Sequence, residues 1–166
     1  YKLKGRAYRL LVSNPSPLIG KTLEEVDLRA TSGVNIVTIE RNSGSIIDLV
    51  QPTSKTVVQS GDRLLVALFG QDAHIAPLKS RFGFEVLPLS ADFLTYRSQE
   101  IGMVEVILPA NSKLIGKTVH DSKFRSNYGL TVVGLRRGLV AHERGLLEEP
   151  LKIGDTLLLI GRWKAV

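Results

Sequence analysis

The chain has 166 residues and a formal charge of +6, from 22 Lys and Arg against 16 Asp and Glu. It has no cysteine, which excludes a disulfide scaffold, thiol catalysis and a cysteine-ligated metal. Its longest apolar run, Leu64 to Phe69, is strand-sized and far short of the ~20 residues a membrane helix needs, and it carries no secretory signal pattern.

In chain order, Ala7 to Val12 reads as a strand and Asn14-Pro15-Ser16-Pro17 as a turn cluster. A short helix is predicted from Thr22 to about Ala30. Val34 to Glu40, rich in β-branched residues, predicts a strong strand. Arg41-Asn42-Ser43-Gly44 closes a hairpin into Ser45 to Leu49, and Pro52 breaks pairing. A short strand is expected at Thr56 to Val58, then a Gly61-Asp62 turn and the strand Leu64 to Phe69. Asp72 to Arg81 predicts a closing helix, shortened or interrupted by Pro77.

The second half repeats the first. Ser16-Pro17-Leu18-Ile19-Gly20-Lys21-Thr22 returns as Ser112-Lys113-Leu114-Ile115-Gly116-Lys117-Thr118, an offset of 96 residues (Ser16 to Ser112) that also relates Arg29 to Arg125, Gly33 to Gly129, Val37 to Val133 and Arg41 to Arg137. Gly61-Asp62 returns as Gly154-Asp155 at an offset of 93, so a hairpin has lost three residues. The repeat predicts two copies of one small α+β unit: residues 1–81, a linker 82–98 whose Phe84, Val86, Leu87 and Leu89 predict packing, and 99–166. In the second copy strands are expected at Met103 to Leu108, Leu130 to Arg136, Leu139 to His142 and Thr156 to Ile160, with a helix from Thr118 to about Ser126. A closing helix would begin at Arg162-Trp163-Lys164. Units this small have marginal cores, so a homodimer or an intrachain pseudo-dimer is expected. The chain opens at Tyr1 without an initiator methionine, as expected of a piece of a longer protein.

The basic balance fits a nucleic-acid surface, a face near an anionic leaflet, a pocket for an anionic ligand, or simply a solvated basic surface. No Lys/Arg run is interleaved with aromatics, so nucleic acid is not an expected partner. Gly-Lys-Thr invites a phosphate-loop reading, but that motif needs a glycine five positions earlier. Pro15 and Asn111 stand there. Each block instead reads as a turn and a helix cap, with Thr22 and Glu25 forming a capping box and Thr118 with Asp121 a weaker one. Asp62 and Asp155 read as Asx-type turn residues that fix register. His74, His120 and His142 are isolated, and Glu148-Glu149 lies in a turn. No catalytic constellation and no metal site is expected.

Arg29 and Asn35 form the candidate binding pair. They flank the bend at Gly33 between helix and strand. A guanidinium fork there suits phosphate, an amide can meet a base edge, and Leu23 and Leu28 would offer apolar walls. A salt bridge from Arg29 to a neighbour is the competing reading. In the second copy Arg125 is retained but Thr131 replaces the Asn.

The stretches SPLIGKTLEEVDLRATSGVNIVTIER with GDRLLVAL, and SKLIGKTVHDSKFRSNYGLTVVGLRR with GDTLLLIG, resemble the TrkA C-terminal (RCK_C) domain twice over. In tandem they are most similar to the cytoplasmic insert of permeases of the divalent-anion/sodium symporter superfamily. That resemblance implies a small α+β domain that dimerises. It implies a regulatory or assembly module on the cytoplasmic side of the inner membrane, partnered by the transmembrane part of an ion or anion transporter. Some members bind cyclic di-AMP, or another anionic nucleotide in this reading, through an Arg and an Asn matching Arg29 and Asn35. Leu23, Leu28 and Pro52 match the cleft positions. The alternatives are a ligand-sensing effector domain on a DNA-binding regulator and a purely structural dimerisation module. No Gly-x-Gly-x-x-Gly occurs, so NAD or ATP sensing is not implied.

Overall fold

A computed structural model describes residues 7–68, 74–89, 100–142 and 146–165. The chain is α+β and divides near residue 91 into two compact units.

In the first unit, β1 (Ala7–Val12) leads through a turn region into two short helices, α1 (Leu23–Val26) and α2 (Leu28–Ser32). Then come β2 (Val34–Ser43), β3 (Ile46–Val50), β4 (Arg63–Leu68), α3 (Ile75–Phe82) and β5 (Phe84–Leu87). The sheet order is β3-β2-β4-β1-β5, and every pairing is antiparallel. β1 and β2 therefore run parallel to each other on opposite sides of β4. The last strand is the centre of the sheet, which explains its unbroken apolar run: side chains of both alternating sets on β4 are buried, Leu64 and Val66 on one and Leu65 and Ala67 on the other. The core holds Leu10, Val12, Ile36, Ile39, Leu64 and Val66 from the sheet, with Leu78 and Phe82 of α3 and Phe84 of β5 packed into the same cluster.

The second unit contains β6 (Ile101–Ile107), α4 (Phe124–Tyr128), β7 (Leu130–Arg137), β8 (Val140–His142) and β9 (Thr156–Arg162), with a 3-10 turn at Trp163–Ala165. Its sheet order is β6-β9-β7-β8. Position for position this is the first unit's order without β5. Even the irregularity recurs: the register slips between Ile36 and Thr38 on β2, and between Val132 and Gly134 on β7.

Four expectations need correction. The helix predicted over Thr22 to Ala30 is two helices, because Asp27 takes a left-handed conformation (φ 41°) between them. The helix predicted from Thr118 forms only over Phe124–Tyr128; hydrogen-bonded turns precede it, ending at left-handed Lys123 (φ 46°). Thr118 thus caps a turn, not a helix. The expected strand at Thr56 to Val58 is one isolated bridge, Val57 to Thr22, its counterpart being Pro150 to Thr118. The expected closing helix at Arg162 is that 3-10 turn after a longer β9. Phe84–Leu87, in the stretch predicted to link the copies, pairs with β1 as an edge strand. The start of the helix predicted from Asp72 lies outside the described residues; the described part begins at Ile75. Pro77 occupies its first turn, where a missing N–H costs nothing.

Candidate ligand site

The first unit's Gly-Lys-Thr block leads into the two short helices, the second of which carries Arg29. Gly20 takes φ 83°, and Thr22 begins α1 with a complete capping box. Its hydroxyl accepts from Glu25 N–H at 3.2 Å, while the Glu25 carboxylate accepts from Thr22 N–H at 2.7 Å. The N–H and the hydroxyl of Thr22, both donating to the Glu25 carboxylate, hold that carboxyl below its usual range. Leu23 and Glu24 donate their N–H groups to Thr56 and Ser54 carbonyls at 2.9 and 3.0 Å. α1 is thereby fastened to the loop that follows β3, the loop containing Pro52.

Arg29 lies on α2, where a cation is favoured near the helix C-terminus. Gly33, in the left-handed region at φ 63°, donates its N–H to Arg29 O at 3.1 Å and turns the chain into β2. Asn35 is 1% exposed on β2, opposite Ala67 of β4. The guanidinium of Arg29 is largely buried, and its Nε and Nη2 have no hydrogen-bond partner among the described residues. Burial pulls its pKa down to about 10, against a smaller opposing pull from the Asp27 charge. A buried guanidinium short of acceptors is costly, and an incoming anion would relieve that cost. Leu28 is 4% exposed and belongs to the core. Leu23 is half-buried and packs against that core, and Pro52 is buried. Arg29, Asn35, Leu23 and Leu28 therefore lie on one short helix–turn–strand stretch. Pro52 comes from the loop alongside.

In the second unit the equivalent arginine reaches the residue that replaces Asn35. Arg125 donates from Nη2 to the hydroxyl of Thr131, the residue that replaces Asn35, at 3.3 Å.

A second constellation, which spacing alone did not reveal, recurs in both units. Arg41 forks onto Asp62, Nε to Oδ1 at 2.8 Å and Nη2 to Oδ2 at 2.7 Å, and Nη2 also donates to Val57 O at 2.9 Å. Asp62 further accepts from Gln59 N–H at 2.9 Å. Arg137 forks onto Asp155 at 2.8 Å through both nitrogens, donates to Pro150 O at 3.0 Å, and adds Glu149 at 2.8 Å. The aspartates expected as local turn residues thus join their arginines in tying three segments of each unit: the end of β2 or β7, the turn before β4 or β9, and the isolated bridge, whose carbonyl the arginine reaches. The only sequence signal was the repetition of Arg41 and of the Gly-Asp pair. Arg9 and the nearly fully buried Glu40 form another ion pair at 2.8 Å. Among the described residues there is no group of three or more metal-ligating side chains. No described helix is long and apolar enough to cross a membrane.

Comparison with known proteins bears on the whole chain. The model of the TrkA-C domain family matches residues 7–83 and again 103–166. The chain is 36% identical over its full length to the uncharacterized transporter YfbS of Escherichia coli K12, of which it spans 27%. It is 27% identical over 154 residues, 89% of its length, to a probable sodium/sulfate cotransporter 3 of Chlamydomonas reinhardtii, spanning 16% of that protein. Among solved structures it is similar to the RCK C domain of the potassium transport protein KtrA in complex with cyclic diadenosine monophosphate. That similarity is 27% identity over 45% of this chain and 84% of the other, with a TM-score of 0.37. The chain thus spans about a quarter or less of the transporters it matches. Two matched segments, each with the same strand order and the same bulge, make this chain a member of the TrkA-C family that carries the domain twice.

Proposed function

We propose that the chain is a regulatory module of a membrane transporter. It faces the cytoplasmic side of the inner membrane, and its first TrkA-C copy takes an anionic nucleotide of the cyclic di-AMP class. The observation that carries the ligand half is Arg29: a largely buried guanidinium whose Nε and Nη2 find no acceptor among the described residues, beside the buried Asn35. A phosphate supplies the acceptors that arrangement lacks. Arg125, already bonded to Thr131, has less to gain, so the second copy serves structure and assembly. The transporter half is supported by relatives that are transporters several times longer than this chain. Binding biases the transporter between states to the extent that the nucleotide prefers one of them. Self-association of the module, as a homodimer or through its two copies, is the route by which that bias reaches the transmembrane part.

The test uses the full-length parent transporter in vesicles. Cyclic di-AMP presented on the face bearing this module should change the initial uptake rate for the wild type and leave Arg29→Ala unchanged. An unchanged wild-type rate, with the nucleotide shown bound, would overturn the regulatory reading.

A further inference from the structure

The two copies differ in chemistry at one end of the fold. Each sheet carries a two-residue hairpin loop there. Gly44-Ser45 joins β2 to β3 and is closed by the pair Ser43–Ile46; Gly138-Leu139 joins β7 to β8 and is closed by Arg137–Val140. The turn that precedes the neighbouring strand lies at the same end, Ser60-Gly61 in the first copy and Ile153-Gly154 in the second. In the second copy Arg136 pairs with Thr156 and Arg137 forks onto Asp155, which sets loop and turn side by side. In the first copy Ser45, Gln59 and Ser60 are exposed and polar. In the second the same positions hold Leu139, Lys152 and Ile153.

Leu139 is 98% exposed and Ile153 63%. Two-residue hairpin loops ordinarily take Gly, Asn, Asp or Ser, so loop geometry does not call for a leucine. Val140 and its equivalent Ile46 are each 66% exposed; the copies part at Leu139 and Ile153. In the first copy the counterparts Ser45 and Ser60 are exposed with α3 and β5 in place, because that cover lies along β1, at the far edge of the sheet from β3. The end is also basic. Lys152 is exposed, and Leu151 N–H donates to Lys117 O at 2.9 Å, which brings the exposed Lys117 alongside. Of the nearby acids, Asp155 and Glu149 are held by Arg137, which leaves the exposed Glu148 against two lysines.

We propose that this end of the second copy rests on a bilayer leaflet containing anionic lipid. Leu139 and Ile153 enter the headgroup boundary, and Lys152 and Lys117 meet lipid phosphates. The chain's net charge of +6 draws it to such a surface, and the two apolar tips decide which end arrives. Aliphatic side chains standing on loop tips suit a deformable interface, whereas a protein partner must offer each a fitted pocket. The proposal rests on the transporter half of the proposed function, which puts a bilayer within reach. It does not involve the nucleotide, since Arg29 lies in the first unit.

The test is co-sedimentation of the 166-residue chain with protein-free vesicles of phosphatidylglycerol and phosphatidylcholine in equal parts, and with phosphatidylcholine alone. The chain should bind the mixed vesicles and leave the neutral ones. Leu139→Ser and Ile153→Ser, which install the first copy's residues, should each weaken binding about tenfold, as expected for an aliphatic side chain partly removed from water. Lys152→Gln should weaken it about fivefold, and Lys55→Gln, at an exposed lysine of the first copy, should change it far less. Three results would each overturn the proposal. One is no binding to the mixed vesicles at millimolar lipid. Another is equal loss in Lys152→Gln and Lys55→Gln with none in Leu139→Ser, which would mean adsorption by net charge alone. The third is binding only when the vesicles carry the transporter's transmembrane part, which would assign this end to a protein surface. A failure here leaves the uptake test of the transporter reading untouched, because that test measures transport in the full-length protein.

Discussion

Asp62 has a fully buried side chain whose charge is met by the fork of Arg41 and one backbone N–H. Removing one member of a buried pair leaves the other charge stranded, which typically costs about 3 kcal/mol. Arg41→Ala should therefore lower the unfolding free energy of its unit by about that amount, read from urea denaturation. Arg41→Lys should recover only part, because an ammonium cannot reproduce the fork. Asp155 adds a pH dependence. Burial pushes its carboxyl up, but the hydrogen bonds from Arg137 and Lys152 N–H outweigh this and hold it below the usual carboxylate value. A depressed folded-state pKa gives stability that is present above the unfolded value of about 3.9 and is lost as pH falls through the lower folded value. The urea midpoint should fall steeply below about pH 4. Asp155→Asn should be less stable at neutral pH and should lose that acid-side slope. These pairs could not be read from spacing. Arg41 and Asp62 are 21 residues apart, Arg137 and Asp155 only 18, because the intervening hairpin shortened while the clamp did not. The repeat showed that the residues return, and only strand register shows that they meet.

At the scale of elements, strands were far more legible than helices. β1, β2, β4, β7 and β9 fall where β-branched and apolar runs predicted them, and in all of these but β1 burial on both faces is written directly into composition. The helices here are four or five residues long in α1, α2 and α4, less than two turns, and too short for periodicity to mark their ends. Their limits are set by Asp27 and Lys123 in left-handed conformations, which no pattern announces for residues other than glycine. The capping box was legible because it is a local motif. Thr22→Ala should cost about 1 kcal/mol in thermal or urea unfolding and leave nucleotide affinity unchanged, since Thr22 caps α1 and lies outside the Arg29–Asn35 pair. Thr118→Ala should cost less: Thr118 accepts from Asp121 N–H and donates to the Asp121 carboxylate, but supports a turn instead of a helix.

For the whole molecule, the repeat itself announced the organisation: two units that share one strand order, β3-β2-β4-β1 and β8-β7-β9-β6. It also marked where the copies diverge in chemistry, Asn35 against Thr131. What the sequence left open was whether Arg29 is spent in a salt bridge. Among the described residues its Nε and Nη2 have no hydrogen-bond partner, and the nucleotide reading is placed in the first copy alone because Asn35 stands there and Thr131 replaces it in the second. Calorimetric titration of the chain with cyclic di-AMP tests that claim most directly. The account predicts saturable binding with at most one site per chain, lost in Arg29→Ala and retained in Arg125→Ala. Binding that survives Arg29→Ala, or no heat at millimolar nucleotide, would contradict it.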